Sequence, residues 1–156
     1  MAARVIDVLT PEGRQFERIL RELADKEVAV GFQHGDATEE DGTDICDIAA
    51  WNELGTEHIP SRPFLRKSVD ENEDEINEFI DHKASELMNG ASAEQTLKDI
   101  GIFQKELIQD KIEEGDFVPN AESTIRKKGS THPLIDKGNM KNSVNYWIRQ
   151  KGSGGD

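Results

Sequence analysis

Glu27-Val28-Ala29-Val30-Gly31-Phe32 is the run on which the fold class turns. It is short, β-branched and aromatic, and it predicts a strand in a chain whose other periodic segments are helical. On its N-terminal side Pro11 suits a first helical turn, and Phe16, Ile19, Leu20 and Leu23 recur at helical spacing. A helix over about residues 11–25 follows from that pattern. On its C-terminal side Gln33 to Thr43 is polar, glycine-bearing and acidic, which predicts a loop. Thr43 or Asp44 then caps a second helix carrying Ile45, Ile48, Ala49 and Leu54, with Gly55 as its stop.

Further out, Pro60 and Pro63 bracket an extended link, because a residue before proline is pushed out of the helical region. Leu65, Val69, Ile76, Phe79, Ile80, Ala84, Leu87 and Met88 predict one long helix from Pro63 to Asn89-Gly90. Leu97, Ile100, Phe103, Leu107, Ile108 and Ile112 predict a second, closed by Gly115. The two helices either form an αα-hairpin or pack separately against a sheet. From Asp116 to Ile135 the chain is expected to be irregular. A helical turn over Asn139 to Ser143 leads into Val144 to Arg149, a second strand. The expectation is an α+β domain, a small mostly antiparallel sheet packed with helices that include two long amphipathic ones. It spans residues 1–151 as a single unit, with flexible loops at 33–44 and 116–132 and a flexible tail over 152–156.

The 156 residues, 35% hydrophobic, suit one core. Their formal net charge is −13, and it is unevenly spread. Residues 1–69 are net −6, residues 70–116 net −11, and residues 117–151 net +5. An acidic chain lacks the cations that replace counterions on a phosphate backbone, so sequence-specific nucleic-acid binding is not expected, nor is an anionic membrane surface. No apolar run approaches the roughly 18 residues of a membrane-spanning helix, and the first residues lack a signal-peptide core. The opposed charges suit head-to-tail contact between copies.

No motif for nucleophilic, phosphate-binding or zinc chemistry occurs, so no enzymatic activity and no cofactor is expected. His34, Asp36 and Glu39 are better read as solvated than as metal ligands, and Cys46 as a small core residue than as a nucleophile. Trp51 and Trp147 are read as core or interface anchors.

Two punctuated segments remain: Ala50-Trp51-Asn52-Glu53-Leu54-Gly55-Thr56-Glu57-His58-Ile59-Pro60-Ser61-Arg62-Pro63-Phe64-Leu65-Arg66, and Ser123 to Ser130 followed by Pro133-Leu134-Ile135-Asp136-Lys137-Gly138-Asn139-Met140-Lys141-Asn142-Ser143-Val144. Together, in this order, they resemble a tailed-bacteriophage family called tail-component, virion-morphogenesis, neck or tail-completion proteins. The resemblance covers roughly residues 28–150. Lys137 stands where threonine is common in the family and Met140 where leucine is, and the acidic loop and helices are less typical.

The resemblance implies a non-enzymatic structural protein at the phage neck, acting in tail completion or head–tail joining. It would be a virion component assembled in the host cytoplasm. The implied partners are further copies in a ring, a hexamer favoured over a dodecamer, and neighbouring neck and tail proteins: head-completion or connector, tail terminator and tail tube. DNA would pass through the ring without sequence recognition. Within the motifs, Gly55 and Gly138 supply positive φ or close approach, and Pro60 and Pro63 stiffen the link beside Thr56. Phe64 and Leu65 anchor the long helix; Pro133, Leu134 and Ile135 lead to Asp136, a capping residue. Arg62, Arg66, Arg126, Lys127 and Lys128, with Trp51 and Trp147, are the candidate interface residues. The rival expectation is a monomeric acidic module that mimics DNA charge and inhibits a host protein.

Overall fold

A computed structural model describes residues 8–129, 131–134 and 139–153, the side chain of Lys128 excepted. Among them are seven helices and one two-stranded antiparallel sheet, an α+β arrangement as expected. The strand predicted from Glu27-Val28-Ala29-Val30 is β1 (Lys26–Gly31), and its partner is β2 (Asn145–Gln150), from the far end of the chain. The register sets Val28 opposite Ile148, Val30 opposite Tyr146 and Ala29 opposite Trp147.

Helix α1 (Pro11–Ala24) starts where proline allows it, with Thr10 Oγ1 accepting from the Gly13 N–H at 3.1 Å. Helix α2 (Ile45–Leu54) is capped by Asp44, whose Oδ1 accepts from the Cys46 N–H at 2.8 Å. Its Leu54, expected on the apolar face, is 75% exposed. The loop before α2 is tied down: Gly35 N–H donates to Asp44 Oδ2, and Thr38 bridges to Asp44. Those backbone donors to Asp44, from Gly35 and then Cys46, hold its carboxyl below the usual range.

The single long helix expected after Pro63 is two. Helix α3 (Phe64–Asp70) ends, and α4 (Glu73–Met88) begins after Asn72, whose backbone leaves the helical region at φ −120°. The acidic run gives the reason. Within one continuous helix, Asp70, Glu71, Glu73, Asp74 and Glu75 would crowd like charges into neighbouring turns. A fresh start at Glu73 instead puts Glu73, Asp74 and Glu75 in a first turn, where the helix dipole favours them. Asn72 closes the break by donating from Nδ2 to the Ser68 carbonyl at 3.0 Å.

Helix α5 (Ala93–Glu114) is the central element, starting at a Ser92 cap and ending at left-handed Gly115. It packs on α3 and on both strands, and α4 folds back along it without packing on the sheet, so the hairpin is the arrangement formed and α5 alone of the two covers the strands. Phe79 and Phe103 stack with ring centroids 4.1 Å apart. Lys83 bridges from α4 to Asp99 at 2.7 Å, and Lys111 holds Glu71. Residues 116–132, expected to be irregular, contain helix α6 (Glu122–Lys128), and α7 (Asn139–Asn142) precedes β2.

The core gathers Ile45 and Ala49 of α2, Phe64 of α3, Ile108 and Ile112 of α5, and Leu134, Met140 and Val144. A smaller cluster joins Ile19, Leu87 and Ala93. Gly101, in mid-helix, is where the sheet comes closest: a methyl group there would sit 2.5 Å from Tyr146 Cδ2. Glycine is needed at that position for room, and α5 tolerates its poorer helix propensity in exchange.

Candidate functional site

The link between α2 and α3 is organised from inside. Gly55 has φ +78°, and a Cβ there would lie 2.9 Å from the Ser61 backbone nitrogen. Only glycine admits that approach. Thr56 Oγ1 accepts from the His58 and Ile59 N–H groups, and Ser61 Oγ donates to the Glu53 carbonyl at 2.8 Å. Pro63 offers α3 no side-chain cap, so Glu53 supplies one from the neighbouring helix: its carboxylate oxygens accept from Leu65 N–H at 2.8 Å and Arg66 N–H at 3.2 Å. Nothing in the local spacing signals this role for Glu53.

Arg62 sits at the centre of the link and is 5% exposed. Its Nε donates to the Val118 carbonyl at 2.8 Å, Nη1 to Asn52 Oδ1 at 3.0 Å, and Nη2 to the Pro119 carbonyl and Asn120 Oδ1 at 3.3 Å. The guanidinium is therefore spent within the protein on neutral oxygens, and burial lowers its proton affinity. This corrects its expected place among the interface arginines: a planar fork with several donors is what oxygens at divergent angles require. It ties residues 118–120 to the link.

The tie brings the two punctuated segments together. His58, Ile59, Pro60 and Arg62 of the first and Pro133, Leu134 and Met140 of the second line one cleft of about 490 Å³. Trp51, 43% exposed, stands on its wall with Ile48 and Asn52. Glu39 and Asp41 of the acidic loop supply a negative rim, Asp41 held below the usual carboxyl range chiefly by the Thr43 side chain and N–H. Glu39 is itself fixed by Asn139 Nδ2 at 2.9 Å. The cleft combines an apolar floor with fixed polar groups, suited to gripping an apolar side chain or a short segment of another chain.

The remaining candidates scatter. Arg66 is on the surface, its Nε 3.9 Å from Glu53. Arg126 and Lys127 are exposed on α6, and Arg126 Nε donates to the Glu122 carbonyl at 3.4 Å. Trp147 is half-buried; Tyr146 faces α5, so the strand alternation turns Trp147 to the opposite face of the sheet, across from Ala29. Phe64 is fully buried, edge-on to Phe32 with centroids 6.0 Å apart, and Leu65 packs beside it. Ile135, Asp136, Gly138 and the Lys128 side chain lie outside the described residues.

Cys46 is half-buried with Sγ 3.8 Å from the Phe32 carbonyl; burial, then Asp44 and Asp47, push its thiol up, away from the nucleophilic thiolate. His34 faces Asp44 and Asp47 at 3.3 and 3.4 Å. Among the described residues no cluster of histidine, cysteine and carboxylate groups is arranged to hold a metal ion, and no helix is long and apolar enough to cross a membrane. Compared with known protein families, with curated proteins and with solved structures, the chain has no match.

Proposed function

We propose that this chain is a structural virion protein of a tailed bacteriophage, located at the neck and acting in tail completion or head–tail joining as a ring of identical subunits. One observation carries the reading: the two segments that resemble the neck and tail-completion family, separated in sequence by α4 and α5, line the same cleft. Segments that share a motif pattern and meet in space around an open, half-apolar surface have the form of a docking site. The Arg62 tie and the Glu53 cap hold the walls of that cleft in place. Its role in this reading is to receive part of a neighbouring neck or tail protein.

The carboxylates of α4 favour a second reading, a monomeric acidic module that mimics DNA charge. Particle biology separates the two. In a phage that encodes the chain, its deletion is expected to leave filled heads and detached tails, and gold-labelled antibody to mark the neck of complete virions. Joined, infectious particles without the protein, or label anywhere but the neck, overturn the first reading.

A further inference from the structure

Among the described residues helix α6 is lightly packed: Thr124 and Ile125 are half-buried, none of its described side chains is fully buried, and it makes no extensive contact with another helix or strand. Its approach is held by the Arg62 bonds to Val118, Pro119 and Asn120, and its exit by Asn120 Nδ2 donating to the His132 carbonyl at 3.1 Å. A helix fixed at its root, with Thr124 and Ile125 on its inner side, is an arm whose outer side exposes Arg126 and Lys127. Lys127 is near enough to Asp41 of its own copy to add a little to the lowering that the Thr43 hydrogen bonds produce. Neither has an ion pair among the described residues. Lys141, by contrast, pairs with Glu113.

The complementary surface is on α4. Phe79, Lys83 and Leu87 face the body, whereas Ile80 is 41% and Met88 65% exposed, with Ala84 exposed between them. The spacing of four residues puts these three on one stripe. Beside it, Asp74, Glu78 and Asp81 are exposed and without ion pairs among the described residues. An apolar stripe edged by unpaired carboxylates calls for an occupant that is basic and partly apolar. Within one copy α6 and α4 make no extensive contact.

The geometry points to α6 of one copy seated on α4 of a second copy, Arg126 and Lys127 against Asp74, Glu78 and Asp81. Because donor and acceptor are different patches, the contact is head-to-tail and can propagate to a closed ring. This rests on the self-association proposed above and names its seam.

Two full-length variants test it. Asp74→Lys/Glu78→Lys/Asp81→Lys reverses the acceptor, and Arg126→Glu/Lys127→Glu reverses the donor. By sedimentation velocity at about 0.15 M salt, each alone is expected to associate at least about tenfold more weakly than the parent chain. An equimolar mixture restores both seams and is expected to return to within about threefold of the parent. Circular dichroism checks folding; if a reversal unfolds, Asp74→Asn/Glu78→Gln/Asp81→Asn and Arg126→Gln/Lys127→Gln replace it. Parent-like association of either reversed variant, or a mixture no stronger than its components, overturns the seam. So does a parent chain that stays monomeric at its solubility limit. The neck location is decided independently by labelling of particles, so the two readings can fail separately.

Discussion

Arg62 and Gly101 show how much a single position can carry. Removing the guanidinium in Arg62→Ala strands four oxygen acceptors from Asn52, Val118, Pro119 and Asn120. Asn52 and Asn120 are half-buried, whereas water can reach the exposed Val118 and Pro119, so with the lost packing of the buried guanidinium the substitution is expected to destabilise by about 1–3 kcal/mol in denaturant unfolding. Arg62→Lys keeps a charge but lacks the fork, and is expected to recover less than about half of that loss. Full recovery would show that charge alone suffices. Gly101→Ala sets two effects against each other. Alanine gains roughly 1 kcal/mol of helix propensity, but its methyl overlaps the Tyr146 ring and comes within 3.1 Å of its Cβ. Overpacking costs about 1–3 kcal/mol, so a net loss of up to about 2 kcal/mol is expected. In Tyr146→Ala the same change should become neutral or stabilising; an unchanged penalty there would rule out the ring as its cause.

At the scale of elements, α4 and the junction between α3 and α4 are held on α5 by polar clamps as well as by apolar contact. Asp99 is kept below the usual carboxyl range first by its bond from Lys83 and then by Gln95, and Glu71 first by its bond from Lys111. Lys83 is raised by Asp99 and Glu86. In Lys111 burial lowers the ammonium, and Glu114 and Glu71 more than reverse it. The signs follow from linkage. A depressed carboxylate adds stability that is complete above its unfolded value of about 4 and fades as the pH falls through the lower folded value. A raised lysine adds stability that is complete below about 10 and fades as the pH climbs through the higher folded value. The clamps are therefore intact between roughly pH 4 and 10. Below that window α4 is expected to lose amide-exchange protection before α5 does, and Lys83→Met should blunt the difference. Equal protection of α4 at about pH 3 and pH 6 would exclude this account.

At the scale of the whole molecule, the chain closes on itself: β2 completes a sheet with β1, while α7 and Val144 enter the core beside Phe64. Among the described residues, α6 adds no side chain to that core. Trypsin is expected to cut first after Arg126 or Lys127, the exposed cations of the lightly packed α6. The two fragments should then remain together on a native gel and part only in denaturant, because six strand pairs and a shared core join them. Separation under native conditions would show that the C-terminal segment adds little to the fold.

Local chemistry determined much of this protein. A β-branched run marked β1, Pro11 and Ser92 began helices, and Gly115 ended one, because each acts over a single turn of backbone. The two proline- and glycine-punctuated segments stood out in sequence for the same reason. Tertiary structure alone decided the rest. The break at Asn72 depends on charge crowding and on Lys111 waiting across the interface to take Glu71. Arg62 reads as a surface cation until residues more than fifty positions later supply its acceptors. Gly101 and Glu53 draw their roles from Tyr146 and from the start of α3, groups that no spacing rule links to them. The meeting of the two segments at one cleft is of the same kind, since proximity in space is set by how α5 packs and not by any residue's own preference.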